Sequence, residues 1–123
     1  MDSSLETTLG SLKLERPTVL ASGILGISLD VFKRLHNAGA GAVVTKSLSK
    51  EPWEGYPNPT IFSVKGGGWI NAVGLSNPGA ETFAKMIELN KNVPIIVSLV
   101  GSVEDDFESV SYTHLTLPTK LEV

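Results

Sequence analysis

Three short apolar runs, separated by stretches of helical spacing, limit the folds that are open to this chain. The runs are Thr18–Ala21, Ala42–Thr45 and Val93–Leu99, and they are rich in the aliphatic side chains that buried parallel strands carry. Between them, Asp30–Asn37 and the segment after Asn77 place apolar residues three or four positions apart, which is typical of amphipathic helices. This alternation predicts parallel strands joined by crossover helices.

The sequence on either side of the apolar runs adds further elements. The alternation of leucines with polar residues in Leu5–Leu14, interrupted by Gly10-Ser11, predicts a half-exposed β-hairpin. Asn77 followed by proline is typical of a helix cap with proline at the first helical position. Ser102 and Asp105 have the spacing of a capping box, which predicts the start of a third helix.

Two α/β architectures are built from such units: the doubly wound sheet and the (β/α)₈ barrel. Both bind ligands at the carboxyl ends of their strands. In this chain those ends carry Ser22-Gly23, Lys46-Ser47 and Ser98. Lys46 could neutralise a phosphate, a carboxylate or an anionic cofactor ring, and a surface lysine just past a strand end is an equal alternative. Gly23 would let a ligand approach the backbone closely.

Composition argues against several classes of function. The chain has 123 residues and a net charge of −3, so we expect neither nucleic acid nor an anionic membrane surface as a partner. With no cysteine and two histidines, we expect no disulfide and no metal site. The apolar runs are far shorter than the ~20 residues of a membrane helix, and no signal peptide precedes them, so we expect a cytoplasmic protein.

A run of amides and glycines, Asn71–Gly79, lies between the second and third apolar runs. Side-chain amides and exposed backbone are suited to binding a flat, polar heterocycle. Asn77 is better explained as a helix cap than as a ligand-binding residue, whereas a turn and a ligand contact remain equally open for Asn71. The glycines Gly66–Gly68 beside Lys65 lack the strand–turn–helix setting of a phosphate-binding loop, so a flexible loop is expected there.

Taken together, motifs along residues 5–109 resemble the N-terminal third of a class 1 dihydroorotate dehydrogenase. The motifs that carry the resemblance are, in order, Leu20–Gly23, Val44–Ser47, Gly55–Pro59, Asn71–Gly79 and Pro94–Ser98. The resemblance implies an α/β fold that is the N-terminal part of a truncated (β/α)₈ TIM barrel. This part would consist of the hairpin and about three β/α units, with FMN over the carboxyl ends of the strands.

The resemblance also implies roles for individual residues. It implies that FMN is bound by residues at the strand ends, namely Ser22, Gly23, Lys46, Ser47 and Ser98. It implies that dihydroorotate or orotate is bound by Lys46 and by the segment of Asn71, Ala72, Val73, Gly74 and Leu75. The family often has asparagine at the Ser98 position and arginine at the Thr60 position. These departures suggest an archaeal-like or divergent branch of the family, or a relative with another pyrimidine-like substrate.

The implied activity is the FMN-dependent oxidation of dihydroorotate to orotate, in pyrimidine biosynthesis. The family's catalytic base is a cysteine or serine on a loop after the fourth strand, so we expect the 123-residue chain to be inactive and to hold FMN weakly or not at all. The alternatives are a related FMN barrel that acts on another pyrimidine and a small-molecule binding module without redox chemistry. For the parent enzyme, the resemblance implies a homo-oligomer, with or without an electron-transfer subunit.

The end of the sequence differs in character from the rest. Helical periodicity stops soon after Phe107, and residues 110–123 resemble the in-frame translation of an adapter used in preparing sequencing libraries. We therefore expect a partial dihydroorotate dehydrogenase-like barrel at 1–109 and a non-native tail at 110–123. A native C-terminal strand is the alternative for the tail.

Overall fold

The computed structural model describes residues 5–90 and 92–109, in which short strands alternate with three helices. The strands are β1 (Thr7–Leu9), β2 (Leu12–Leu14), β3 (Val19–Leu20), β4 (Ala42–Val44), β5 (Ile61–Ser63), β6 (Trp69–Asn71) and β7 (Ile95–Ile96). The helices are α1 (Leu29–Asn37), α2 (Ala80–Ile87) and α3 (Glu104–Ser109). The predicted tail at 110–123 lies outside the described residues.

The central element is a parallel sheet of three strands in the order β3-β4-β7. Val19 pairs with Ala42, and Val43 pairs with Ile95. Helix α1 connects β3 to β4, and α2 lies on the connection from β4 to β7. The prediction of parallel strands with helical crossovers is therefore confirmed, as is the N-terminal hairpin, which β1 and β2 form.

The two faces of this sheet are covered by different elements. On one face, Val43 and Ile95 pack with Phe32 of α1 and Phe83 of α2, whose rings meet edge to face with centroids 6.3 Å apart. On the other face, Ile96 packs with Ala42 and with Leu14 of the N-terminal hairpin. Burial of each large side chain contributes about 1.5–3 kcal/mol, so these two layers hold the strand ends in place.

The helices begin where short polar or glycine residues allow them to. Ser28 caps α1 and accepts a hydrogen bond from the backbone N–H of Val31 at 3.5 Å. Asn77 was expected to be the cap of the second helix, but Gly79 occupies the cap position and α2 begins at Ala80. Asn77 instead accepts the N–H of Gly79 at 2.9 Å through its side chain, so it stabilises the turn before the helix.

Three strand and cap predictions need correction. The first apolar run was expected to be buried on both faces, but Val19 is 39% exposed because β3 is an edge strand of the described sheet. The third run was expected to form a strand over Val93–Leu99, whereas β7 is confined to two residues. In the expected capping box, Ser102 bonds to the carboxylate of Asp106 and not to that of Asp105.

A second hairpin, formed by β5 and β6, was missed by the sequence analysis. Ile61 pairs with Asn71, and the strands are joined through Gly66–Gly68, whose three positive φ angles turn the chain. Asn71 was expected to lie inside a loop. It is instead the last residue of β6. The hairpin is exposed along its whole length, so its sequence lacks the polar–apolar alternation that burial of one face imposes.

Candidate functional site

The carboxyl ends of β3, β4 and β7 meet in a network of short hydrogen bonds. Thr45, which is fully buried, donates its backbone N–H to the Ile96 carbonyl at 2.9 Å. Its carbonyl accepts the hydroxyl of Ser22 at 2.7 Å, and its own hydroxyl oxygen accepts the backbone N–H of Ser98 at 3.0 Å. Thr45 thus connects all three strand ends, and it was not among the predicted site residues.

The ladder between β4 and β7 contains a bulge at this point. Val44 pairs with Ile96, and the next bridge joins Leu48 to Leu99. Residues 45–47 on the β4 side therefore face only residues 97 and 98 on the β7 side. A bulge turns the chain locally and redirects side chains, and bulges are frequent beside active sites.

Lys46 lies within the bulge. Its side chain is buried with 9% of its surface exposed, and its backbone N–H donates to the carbonyl of Gly26 at 2.8 Å. The ion pairs of the described residues are His36–Glu15 and Lys85–Glu81, and neither includes Lys46. With no acidic partner among the described residues, the ammonium group of Lys46 is available to an anionic ligand.

Hydroxyl groups lie next to Lys46 in the chain and at the neighbouring strand ends. The hydroxyls of Ser47 and Ser98 lie 3.0 Å apart and share one hydrogen bond, so one hydroxyl proton of the pair remains available. Ser22 donates its proton to Thr45 but keeps lone pairs that accept. A Cβ added at Gly23 would meet no atom within 4 Å, so the space in front of this glycine is open.

The loop after β3 is pressed against the bulge through Gly26. A Cβ on Gly26 would lie 2.2 Å from the backbone nitrogen of Lys46 and 2.7 Å from the carbonyl carbon of Thr45. Only glycine fits such an approach. Gly26 is a second residue that the sequence analysis missed, and its signal was weak because it is one of 12 glycines in the chain.

The predicted substrate segment, Asn71–Leu75, is more exposed than the strand ends. Gly74 and Leu75 both have positive φ angles, of 69° and 56°. A Cβ on Gly74 would lie 2.7 Å from ring atoms of Tyr56, so the tyrosine ring rests directly on this glycine. Leu75 in a left-handed conformation is a strained residue, and strain of this kind is concentrated at ligand-binding loops.

Asn77 and Ser49 connect the exposed segment to the strand ends. The side-chain oxygen of Asn77 accepts the backbone N–H of Ser49 at 3.1 Å, and its amide nitrogen donates to the Leu75 carbonyl at 2.9 Å. Asn77 is 8% exposed. Since its amide is committed to protein partners, Asn77 is structural, which agrees with the preference drawn from the sequence.

A cavity of about 570 Å³ lies between the loop after the bulge and the turn at Gly74 and Leu75, and it is not lined by Ser22, Gly23, Lys46, Ser47 or Ser98. One wall is formed by Ser49–Trp53, a second by Gly74 and Leu75, and a third by Val100–Ser102 with Asp106. The structure thus brings Gly74 and Leu75 to the loop that begins three residues after Lys46. It brings Ser22, Lys46, Ser47 and Ser98 together through the bulge, with Gly23 beside them. Asn71, Ala72 and Val73 lie outside this cavity.

Within residues 5–90 and 92–109, none of the helices has the length and apolar character needed to cross a membrane. The same residues contain no group of three histidine, cysteine or acidic side chains placed to hold a metal ion.

Comparison with known proteins was made at the level of sequence and of structure. The family model described as "Dihydroorotate dehydrogenase" matches residues 4–119. A relative named dihydroorotate dehydrogenase B (NAD(+)), catalytic subunit, from Methanothermobacter thermautotrophicus is 45% identical over 108 residues, which cover 87% of this chain and 35% of the relative. The protein of the same name from Archaeoglobus fulgidus is 44% identical over 119 residues, which cover 93% of this chain and 38% of that relative.

The solved structures agree on the fold. Ligand-free dihydroorotate dehydrogenase from Eimeria tenella superimposes with a TM-score of 0.71 at 22% identity, covering 89% of this chain and 35% of that one. Its complex with ferulenol gives a TM-score of 0.70 at 21% identity. The chain spans about a third of the length of the relatives that it matches. Its described strands form an open sheet and not a closed barrel.

Proposed function

The chain belongs to the dihydroorotate dehydrogenase family, and on that premise we propose that it carries the flavin-binding strand ends and the substrate loop of an FMN-dependent enzyme oxidising dihydroorotate to orotate. The observation that carries this proposal is the position of Lys46. It is buried at the end of a parallel strand, inside a bulge, and without an acidic partner in the described part of the chain.

The groups around Lys46 suit a flavin. The ring system of a flavin has carbonyl oxygens and an imide N–H at one edge, which require both donors and acceptors. Lys46 and the free proton of the Ser47–Ser98 pair supply donors, while Ser22 supplies an acceptor because its own proton goes to Thr45. The open space at Gly23 allows a flat ring to approach the backbone. We propose Ser22, Gly23, Lys46, Ser47 and Ser98 as the FMN-binding residues.

When bound, FMN supplies the hydride acceptor for the oxidation. Lys46 would contribute a positive charge that stabilises the negative charge developing on the reduced ring. Such a charge is most effective in a site that excludes water, and Lys46 is 9% exposed as a residue.

The substrate is planar and has a carboxylate and an imide edge. We propose that it binds to Lys46 and to Asn71, Ala72, Val73, Gly74 and Leu75, through the amide of Asn71 and the exposed backbone of the segment. Gly74 and Leu75 lie outside regular structure in the left-handed conformation. The Leu75 carbonyl is held by Asn77, so the N–H groups of Gly74 and Leu75 are the backbone groups that we propose for the ligand. Tyr56 and Asn77 keep this part of the segment in place.

The names of the relatives support a proposal about partners. Several are called the catalytic subunit of an NAD(+)-linked B enzyme. We propose that the parent of this chain is likewise a cytoplasmic catalytic subunit that forms a homo-oligomer and passes electrons to NAD(+) through a second subunit. The catalytic base is proposed to lie outside this chain, so the 123 residues alone are expected to be inactive.

A chimera tests this function. In this chimera, residues 5–109 of the chain take the place of the corresponding segment of the M. thermautotrophicus relative. We expect the chimera to bind FMN and to oxidise dihydroorotate, whereas the 123-residue chain shows neither stoichiometric FMN nor turnover. Absence of turnover in a folded, flavin-loaded chimera would overturn the proposal.

Replacement of the lysine sharpens the test. In the chimera, Lys46→Ala is expected to lower kcat/KM by about 100-fold, the loss typical when a transition-state charge is left unstabilised. The melting temperature should change little. Lys33→Ala, which removes an exposed lysine of α1, serves as the control and should leave both quantities unchanged. Equal losses of activity and stability in Lys46→Ala would show that the lysine is structural.

A further inference from the structure

At the bulge after β4, two side-chain hydroxyls form hydrogen bonds that take the place of one backbone–backbone hydrogen bond. Up to the bulge the ladder is regular, with Val43 donating to the Pro94 carbonyl and Thr45 donating to the Ile96 carbonyl. The next bond of a regular parallel ladder would run from the N–H of Ser98 to the carbonyl of Thr45. That bond is replaced, because Ser98 donates to the hydroxyl oxygen of Thr45.

The displaced carbonyl finds another partner. The Thr45 carbonyl accepts the hydroxyl of Ser22 from the end of β3, at 2.7 Å. The ladder resumes when Leu48 donates to the Ser98 carbonyl at 2.9 Å and Val100 donates to the Leu48 carbonyl at 3.0 Å. Two hydroxyl groups therefore satisfy the two backbone groups that the bulge separates, as buried backbone requires.

The consequence falls on the next residue. The backbone N–H of Lys46 points away from β7, as the alternation along a strand requires, and donates to the Gly26 carbonyl. The extra residue of the bulge moves Lys46 out of the ladder, whereas a regular strand would have kept it in register with β7.

We propose that Thr45 is a positioning residue that sets Lys46 through its hydroxyl oxygen, a role that rests on the proposed function of Lys46. Thr45 is fully buried, so its hydroxyl is sheltered from competing water. Of the residues that can occupy this position, only threonine and serine supply an oxygen at the same distance from the backbone. Valine has nearly the shape of threonine and lacks the oxygen, which makes it the critical replacement.

The first measurement needs no flavin. In the full 123-residue chain, Thr45→Val is expected to raise the hydrogen-exchange rate of the Ser98 amide at least about tenfold, because the amide loses its acceptor. Thr45→Ser should restore protection. Thr18→Val removes a hydroxyl that bonds to the Gly39 carbonyl, far along the chain from Lys46, and serves as the matched control. Unchanged protection of Ser98 in Thr45→Val would overturn the proposal.

The second measurement follows Lys46 itself. In the chimera without FMN, acetylation of Lys46 relative to Lys33 should be several-fold faster in Thr45→Val than in Thr45→Ser or the unaltered protein. With FMN bound, Thr45→Val should shift the visible flavin spectrum and lower kcat about tenfold, as expected when a catalytic group is misplaced. A native spectrum and native kcat in Thr45→Val would contradict the positioning role.

The variants separate this proposal from its premise. If Thr45→Val does not fold, Thr45→Ser decides: native Ser98 protection and native kcat support the role of the hydroxyl, and loss of either overturns it. If the unaltered chimera binds no flavin or does not oxidise dihydroorotate, the proposed function fails. The exchange and acetylation results still test whether Thr45 fixes the position of Lys46.

Discussion

The strand-end cluster and the substrate segment are built in opposite ways. At the strand ends, Thr45 and Lys46 are 0% and 9% exposed, and Thr45 is fixed by three hydrogen bonds, to Ser22 after β3 and to Ile96 and Ser98 at the end of β7. In the segment Asn71–Leu75, by contrast, Leu75 is 55% exposed, and its carbonyl is held by the side-chain amide of Asn77. The comparison indicates that the proposed flavin-binding half is preorganised by the sheet, whereas the substrate half depends on two supports, Tyr56 and Asn77.

The largest expected effect lies at the contact between the Gly26 loop and the bulge. In the chimera, Gly26→Ala places a Cβ against backbone atoms, so we expect a loss of about 3 kcal/mol in the free energy of unfolding. Urea denaturation measures this loss. The matched control is Gly23→Ala, whose Cβ meets no atom within 4 Å and should change stability by less than about 0.5 kcal/mol.

The same pair of variants also tests the proposed cofactor site. Gly23→Ala should weaken FMN binding, measured by titration, although it leaves the fold unchanged. If Gly26→Ala is as stable as Gly23→Ala, the strand-end cluster is less rigid than proposed. If Gly23→Ala binds FMN normally, this glycine does not contact the cofactor.

An intermediate effect is expected in the substrate segment. Gly74→Ala in the chimera should cost about 1–2 kcal/mol, because a residue with a Cβ is forced into the left-handed region. It also drives the new methyl group into the Tyr56 ring. We expect KM for dihydroorotate to rise while the FMN content stays constant. The double variant Gly74→Ala/Tyr56→Ala should recover part of the stability, and no recovery would show that the ring contact is unimportant.

The smallest effect is expected on the β5–β6 hairpin. Trp69 is 75% exposed and lies opposite Ser63. Trp69→Thr keeps a residue suited to strands and should change the free energy of unfolding of the chimera by less than about 0.5 kcal/mol. FMN binding should be unaffected. A loss above about 2 kcal/mol would show that this hairpin is buried against another part of the full-length protein.

The arrangement of elements was largely readable from the sequence, because burial imposes a pattern on the residues that undergo it. The three apolar runs and the helical spacing of Phe32 and Phe83 reflect the core that they form. The exposed hairpin β5–β6 left no such pattern, since neither of its faces is buried. For the same reason, Asn71 was assigned to a loop.

The site shows the same division. The sequence alone determined that polar residues follow the strands, which placed Ser22, Lys46, Ser47 and Ser98 at one edge of a parallel sheet. Only the tertiary structure decided how they are held, because Thr45 reads as one more β-branched strand residue until its hydroxyl is seen to accept the Ser98 N–H. A hydrogen bond between residues 53 positions apart depends on the register of two strands. That register, with its bulge, is fixed by packing across the sheet and not by local sequence.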